Sequence, residues 1–171
     1  MSLYQPEDEP RGSEGFQALH GRMAPPASSL SSAPLLELNA WLGIARASAH
    51  SARVQAVLRV LQMDLQRMIE QSDASPTWDL ATFVTERVRW LEQTRETMEH
   101  ERRSRGSPEL PGDTVTGAIL DLLSIMTWRM RHGLHQEEAQ ADPAIQEYLE
   151  RLPALLFTLA RYEEDQADPY R

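Results

Sequence analysis

Between Leu35 and Tyr162 the apolar residues return every three or four positions in five separate runs, and nowhere do they alternate with polar residues between hairpin turns. That spacing is the step of an α-helix with one buried face, so a sheet is excluded and the runs must bury their faces on one another. Leu35, Leu38 and Leu42 open the first run; Val54, Val57, Leu58, Leu61, Leu65, Met68 and Ile69 make the second. Phe83 or Val84 begins the third, which continues through Val88, Leu91 and Met98. Val115, Ile119, Leu122, Leu123, Met126 and Met130 form the fourth, and Ile145, Leu149, Leu152, Leu156 and Leu159 the fifth.

The breaks agree with that reading. Asp73 to Asp79 contains Pro76, and Pro108 to Gly112 stops the chain again. Asp113 or Thr114 is a fitting N-cap for the fourth helix, and Asp142 followed by Pro143 reads as cap plus first-turn proline for the fifth. Pro153 lies inside the fifth run, where it removes the bond to the Leu149 carbonyl and predicts a kink that packing absorbs. The expected fold class is an all-α, five-helix up-and-down antiparallel bundle.

With 171 residues the chain is one ordinary domain. Residues 1 to 34 are poor in large apolar side chains and read as a flexible N-terminal segment or a strap over a neighbour, residues 35 to 166 as the bundle, and 167 to 171 as a tail. The absence of cysteine excludes a disulfide framework and a thiolate site and fits a cytoplasmic protein. A formal charge of -9 with 17 Lys and Arg argues against nucleic acid as a partner. The one basic cluster, Arg102 to Arg105, reads as a helix end. No apolar run reaches the roughly 18 residues of a membrane span.

Three constellations invite chemistry and have plainer explanations. His132, His135 and Glu138 stand at ligand-like spacing, but histidines near a helix C-terminus also complement its dipole, and no metal residue is assigned. Glu92, Glu96 and Glu99 share one face of the third helix, as in the E-x-x-E of all-α Mg-dependent nucleotide pyrophosphatases; a solvated face explains them as well, since Glu138 and Asp142 straddle a helix end. Trp41, Trp78, Trp90 and Trp128 read mostly as core or interface anchors.

A family resemblance runs from about Arg11 to Glu163. Leu36-Glu-Leu-Asn-Ala-Trp-Leu-Gly-Ile-Ala-Arg46 resembles the D-E-L-N-x-x-L-G-x-A-R of the PduO-type ATP:cob(I)alamin adenosyltransferases. Leu61-Gln-Met-Asp-Leu65 is similar to their I-Q-x-D-L, Val88-Arg-Trp-Leu-Glu92 to V-x-x-L-E, and Leu110-Pro-Gly112 to L-P-G. Tyr148 to Tyr162 resembles Y-L-N-R-L-S-D-x-L-F-x-L-A-R-Y. The resemblance implies a bundle assembled as a homotrimer, with clefts between subunits where the 5'-deoxyadenosyl group of ATP passes to a reduced corrinoid.

Set beside that family, the residues this chain carries are different ones. The T-G-D-x-G-x-T loop corresponds to Arg11 to Gln17, which keeps Gly12 and Gly15 but has Ser13 and Gln17 in place of its Asp and final Thr. A-R-T-V-C-R-R-A-E-R corresponds to Leu123 to His132. Its first arginine is Ser124, the carboxylate paired with that arginine is Leu36, the arginine that contacts triphosphate is Trp128, and Arg129 is retained. An amide facing the nucleotide becomes Glu150, and the aromatic two residues before L-P-G becomes Pro108. The ligand-site residues are therefore Gly12, Gly15, Leu36, Ser124, Trp128, Arg129 and Glu150, none of them catalytic. The expectation is a family relative without adenosyl transfer, its inter-subunit cleft open to a corrinoid or another small molecule rather than to ATP and Mg2+. The alternative is an active enzyme whose phosphate site is rebuilt on Arg129, Gly12, Gly15, Arg11 and Arg22.

Overall fold

The computed structural model describes residues 33–71, 79–102, 110–136 and 142–167. Five helices account for nearly all of them: α1 (Ala33–Ser48), α2 (Ala52–Gln71), α3 (Leu80–Glu101), α4 (Val115–Gln136) and α5 (Pro143–Ala167). No strand occurs among the described residues. The all-α fold expected from the periodicity is the one observed.

Helix starts are set by side-chain caps. Asp79 accepts the N–H groups of Ala81 and Thr82 at 3.1 and 3.3 Å, so α3 begins three residues before Phe83. Thr114 accepts the N–H of Gly117 at 2.9 Å, and Asp142 that of Ala144 at 2.9 Å, which starts α5 on Pro143. Pro153 leaves α5 unbroken. Its neighbours Leu152, Leu155 and Leu156 are fully buried. At about 1.5 to 3 kcal/mol per buried leucine they outweigh the roughly 3 kcal/mol that an interior proline costs.

Consecutive helices run antiparallel, and α5 packs chiefly on α4 and α3, α1 on α2 and α4. Arg87 of α3 reaches Asp64 of α2, completing a ring in the order α1, α2, α3, α5, α4. An odd number of alternating helices in a ring forces one parallel neighbouring pair. That pair is α3 and α5, stitched by Glu92 with Arg151, Glu99 with Thr158, and Arg102 with Asp165.

The core positions expected on α1, α2, α3 and α5 are buried, apart from Phe83, which is partly so. Helix α4 is the correction. Thr116, Leu120, Leu123 and Thr127 face inward, while Val115 and Leu122 are exposed and Ile119, Met126 and Met130 only partly covered. This helix is apolar almost all round, so periodicity alone could not choose its inner face. The two inward threonines are satisfied, Thr127 by the Leu123 carbonyl at 2.8 Å and Thr116 by Ser48 at 3.0 Å.

Two buried polar groups tie the helices. Asp64 accepts hydrogen bonds from Arg87 Nε at 2.8 Å and from the Tyr148 hydroxyl at 3.2 Å, joining α2, α3 and α5. Burial pushes the Asp64 carboxyl above its usual value in spite of Arg87, and burial together with Asp64 pushes the Tyr148 hydroxyl well up. Glu163, fully buried near the C-terminal end of α5, accepts the backbone N–H groups of His50 and Ser51, the latter at 3.2 Å, and so closes the N-terminus of α2 from another helix.

Two outcomes are expected. Glu163→Ala leaves two N–H donors without their acceptor and lowers the urea unfolding free energy by about 2 kcal/mol, whereas Glu163→Gln, which keeps one carbonyl oxygen, costs about half of that. For Asp64 the folded state holds its proton more tightly than the unfolded state. Its contribution is greatest below the ordinary aspartate range and is lost as pH rises through the raised value. The unfolding free energy of the wild type minus that of Asp64→Asn therefore falls with rising pH; a signed difference that rises would refute the assignment.

Candidate functional site

The antiparallel seam between α4 and α5 holds most of the residues singled out in the sequence. Two ion pairs set its register. Arg161 of α5 bonds Asp121 of α4 in the interior, and Glu150 of α5 lies 3.4 Å from Arg131 of α4 at the surface. Asp121, Ser124, Trp128 and Arg131 follow one another at steps of three, four and three, which keeps them on one strip of α4. Glu150, Ala154, Phe157 and Arg161 form the facing strip of α5 by the same rule. The middle of the seam is therefore Ser124 and Trp128 opposite Ala154 and Phe157, with an ion pair at either end.

Trp128 and Phe157 both present much of their surface to solvent, at 52% and 46% exposure. Trp128 is held from its own helix: its ring lies 4.0 Å from that of His132, and His132 Nδ1 lies 2.8 Å from the Trp128 carbonyl oxygen. Phe157 carries the Arg161 guanidinium over its ring at 5.4 Å. Val115, Leu122 and Ile125 extend the apolar exposure along α4, and Ile44 adds to it from α1, which packs beside α4.

The sequence-derived site residues fare differently. Ser124 donates to the Asp121 carbonyl at 2.8 Å and is satisfied within its own helix. Leu36 is packed against the core from α1. Arg129 is exposed on α4. Glu150 lies 3.4 Å from Arg131 of α4. Gly12 and Gly15 lie outside the described residues, as do Trp78, Glu138 and the His135 side chain.

Arg131 and Phe157 escape sequence reasoning. For Arg131 a signal existed, because the glutamate of the resembled fourth-helix motif is Arg131 here while the amide of the fifth is Glu150. The two changes make an ion pair.

The other constellations resolve as structure. Glu92 lies 3.5 Å from Arg151, and Arg95 lies 3.9 Å from Glu96 and 2.8 Å from Glu99. Guanidinium groups thus occupy the carboxylates of that face. Among the described residues no group of three His, Asp or Glu could hold a metal ion. Trp41 and Trp90 pack against the core. A 200 Å³ recess between α3 and α5 reaches Glu150 and Ala154, but Leu91, Glu92, Arg95 and Arg151 complete it with both signs of charge. No helix among the described residues is long and apolar enough to cross a membrane.

Residues 33–163 match the family model described as Cobalamin adenosyltransferase. No curated protein matches the chain.

As an exposed pair, Arg131 and Glu150 should show a coupling of only about 0.2 to 1 kcal/mol in a double-mutant cycle of urea unfolding on Arg131→Ala and Glu150→Ala. Trp128→Ala should change stability by less than about 0.5 kcal/mol, because half of its ring already faces water.

Proposed function

The chain belongs to the cobalamin adenosyltransferase family, and from that premise we propose that it is a member that has kept the bundle and lost adenosyl transfer, using an aromatic cleft between subunits to hold a corrinoid. The observation that carries this reading is the seam. Where the resemblance calls for an arginine on triphosphate stands Trp128, half exposed, with the ring of Phe157 on the facing strip.

The described residues of the seam are poorly suited to ATP. A triphosphate needs several cations that are free to meet it. Arg129 and Arg131 stand on this stretch of α4, and Glu150 engages the second. Leu36 and Ser124 supply neither the carboxylate nor the guanidinium of the resembled ion pair. Losing both together is the inexpensive way to lose a buried pair, since a lone charge left behind would cost several kcal/mol.

A corrinoid is a broad, largely planar macrocycle, and aromatic rings with apolar neighbours are suited to lie against such a surface. The exposed row of Val115, Leu122 and Ile125 supports a homotrimer in which α4 meets a second subunit and the cleft is closed from both sides. The helical unit is read as one bundle domain running from Ala33 to Ala167, two residues earlier and one later than the bounds expected from the sequence. The competing reading, an active adenosyltransferase, draws its support from the family match and from the exposed Arg129.

The test is an anaerobic assay of the purified full-length protein with reduced cob(I)alamin, Mg2+ and ATP, paired with light scattering and a cobalamin titration. The expected result is a trimer with no adenosylcobalamin above the protein-free control. Cobalamin should bind, about tenfold more weakly after Trp128→Ala, which corresponds to roughly 1.4 kcal/mol. Trp128→Arg alone should restore no turnover. Adenosylcobalamin formed by the wild-type protein would overturn the proposal and establish the competing reading.

A further inference from the structure

His132 of α4 stands one turn beyond Trp128, and the two rings meet with centroids 4.0 Å apart and planes tilted by 38°. His132 Nδ1 lies 2.8 Å from the Trp128 carbonyl oxygen. A carbonyl oxygen only accepts, so this bond places the proton of the neutral imidazole on Nδ1 and leaves the lone pair on Nε2. Nε2 has no hydrogen-bond partner among the described residues, and the side chain is exposed. The ring is thus oriented by its own helix, held in one tautomer, and left with an uncommitted electron pair. Metal-ligating histidines are built this way, with the second ring nitrogen donating to a carbonyl or carboxylate.

The other polar groups at this end of the seam are engaged or have no electron pair to give. Glu150 lies 3.4 Å from Arg131, the Ser124 hydroxyl donates to the Asp121 carbonyl, and Met130 packs against the core. Arg129 and Arg131 are guanidinium groups, which stay protonated and cannot act as ligands. The sequence carries a trace of the same arrangement. The closing arginine of the resembled fourth-helix motif is His132 here, just as the arginine that contacts triphosphate is Trp128. The two departures are four residues apart on one helix, and their side chains touch.

We propose that His132 is an axial ligand for the metal of a corrinoid held at Trp128, giving the lone pair of Nε2 to cobalt. The inference rests on the corrinoid reading of the seam and assigns the group that ties the metal to the protein. Imidazole nitrogen is the commonest side-chain ligand of transition metals. Nε2 forms the new bond and displaces a solvent molecule. No electron is transferred, and no proton is released, because Nε2 carries none. Trp128 therefore has two parts in the site: its ring is the wall for the macrocycle, and its carbonyl fixes the ligating imidazole.

Cob(II)inamide is the probe, because it is a corrinoid without a nitrogenous base of its own. It is added anaerobically to the full-length protein, the bound fraction is measured by ultrafiltration, and the electron paramagnetic resonance spectrum is recorded. The expected result is binding, with the cobalt lines split into triplets by a single axial nitrogen. The triplets should become doublets in protein grown on histidine enriched in the heavy nitrogen isotope. His132→Ala, an exposed change with little risk to folding, should lose the splitting and bind the probe about tenfold more weakly. His100→Ala, exposed on α3, should alter neither. Cobinamide bound without nitrogen splitting would overturn the assignment and leave the corrinoid reading standing, and so would splitting that persists in His132→Ala. A protein that binds no cobinamide at all would overturn both.

Discussion

The bundle depends on one arrangement near the C-terminal end of α5, where Arg161, Glu163 and Glu164 sit almost wholly buried. In a ring of alternating helices the C-terminal ends of α1, α3 and α5 gather at the same end as the N-terminal ends of α2 and α4. That end presents orphan N–H groups from two helices and orphan carbonyls from three. Two adjacent glutamates on α5 point to the two N-termini, Glu163 to α2 and Glu164 to the start of α4. Arg161, on the preceding half-turn, binds Glu164, Asp121 of α4 and the Leu110 carbonyl. Acidic residues late in a helix oppose their own helix dipole by about 0.3 to 1 kcal/mol each when exposed. Here they complement two other helices, and the gain in partnered donors outweighs that cost.

The same tie shapes the seam. Helix α4 is fixed to α5 in the interior through Asp121 and at the surface through Arg131, and both contacts lie on one strip. The side chains between them have nowhere to go but along the seam, so Trp128 is presented to solvent rather than folded into the bundle. The exposed apolar row on α4 continues alongside. A helix that is apolar all round usually belongs to a buried environment. Among the described residues α5 and α1 cover only part of α4, which accords with the proposal that a second subunit covers the rest.

Much of this is legible in the chain before folding. The leucine stripes of α1, α2 and α5 are wide and clean, and a polar opposite face tells the periodicity which side is inside. Asp142 with Pro143, and Thr114 ahead of α4, are local capping chemistry that needs no distant partner. Helix α4 is legible as a helix but not as a face, because Val115, Leu122 and Ile125 are as apolar as Leu120 and Leu123. Phe157 carries no signal of its own. The pairing of Arg131 with Glu150 leaves only a trace, two departures from a resembled motif that make sense together.

The sequence by itself determined that the described residues form five helices, roughly where each begins and ends, and which family its motifs resemble. Those properties rest on interactions within a few residues: hydrophobic period, caps and prolines. Only the tertiary structure decided that α5 lies between α3 and α4, that Glu163 and Glu164 serve helices more than forty residues away in sequence, and that Trp128 faces outward. Burial and charge pairing depend on which helices become neighbours. A periodic pattern cannot encode that choice, because every apolar face can pack against every other until the end-to-end polar contacts select one order.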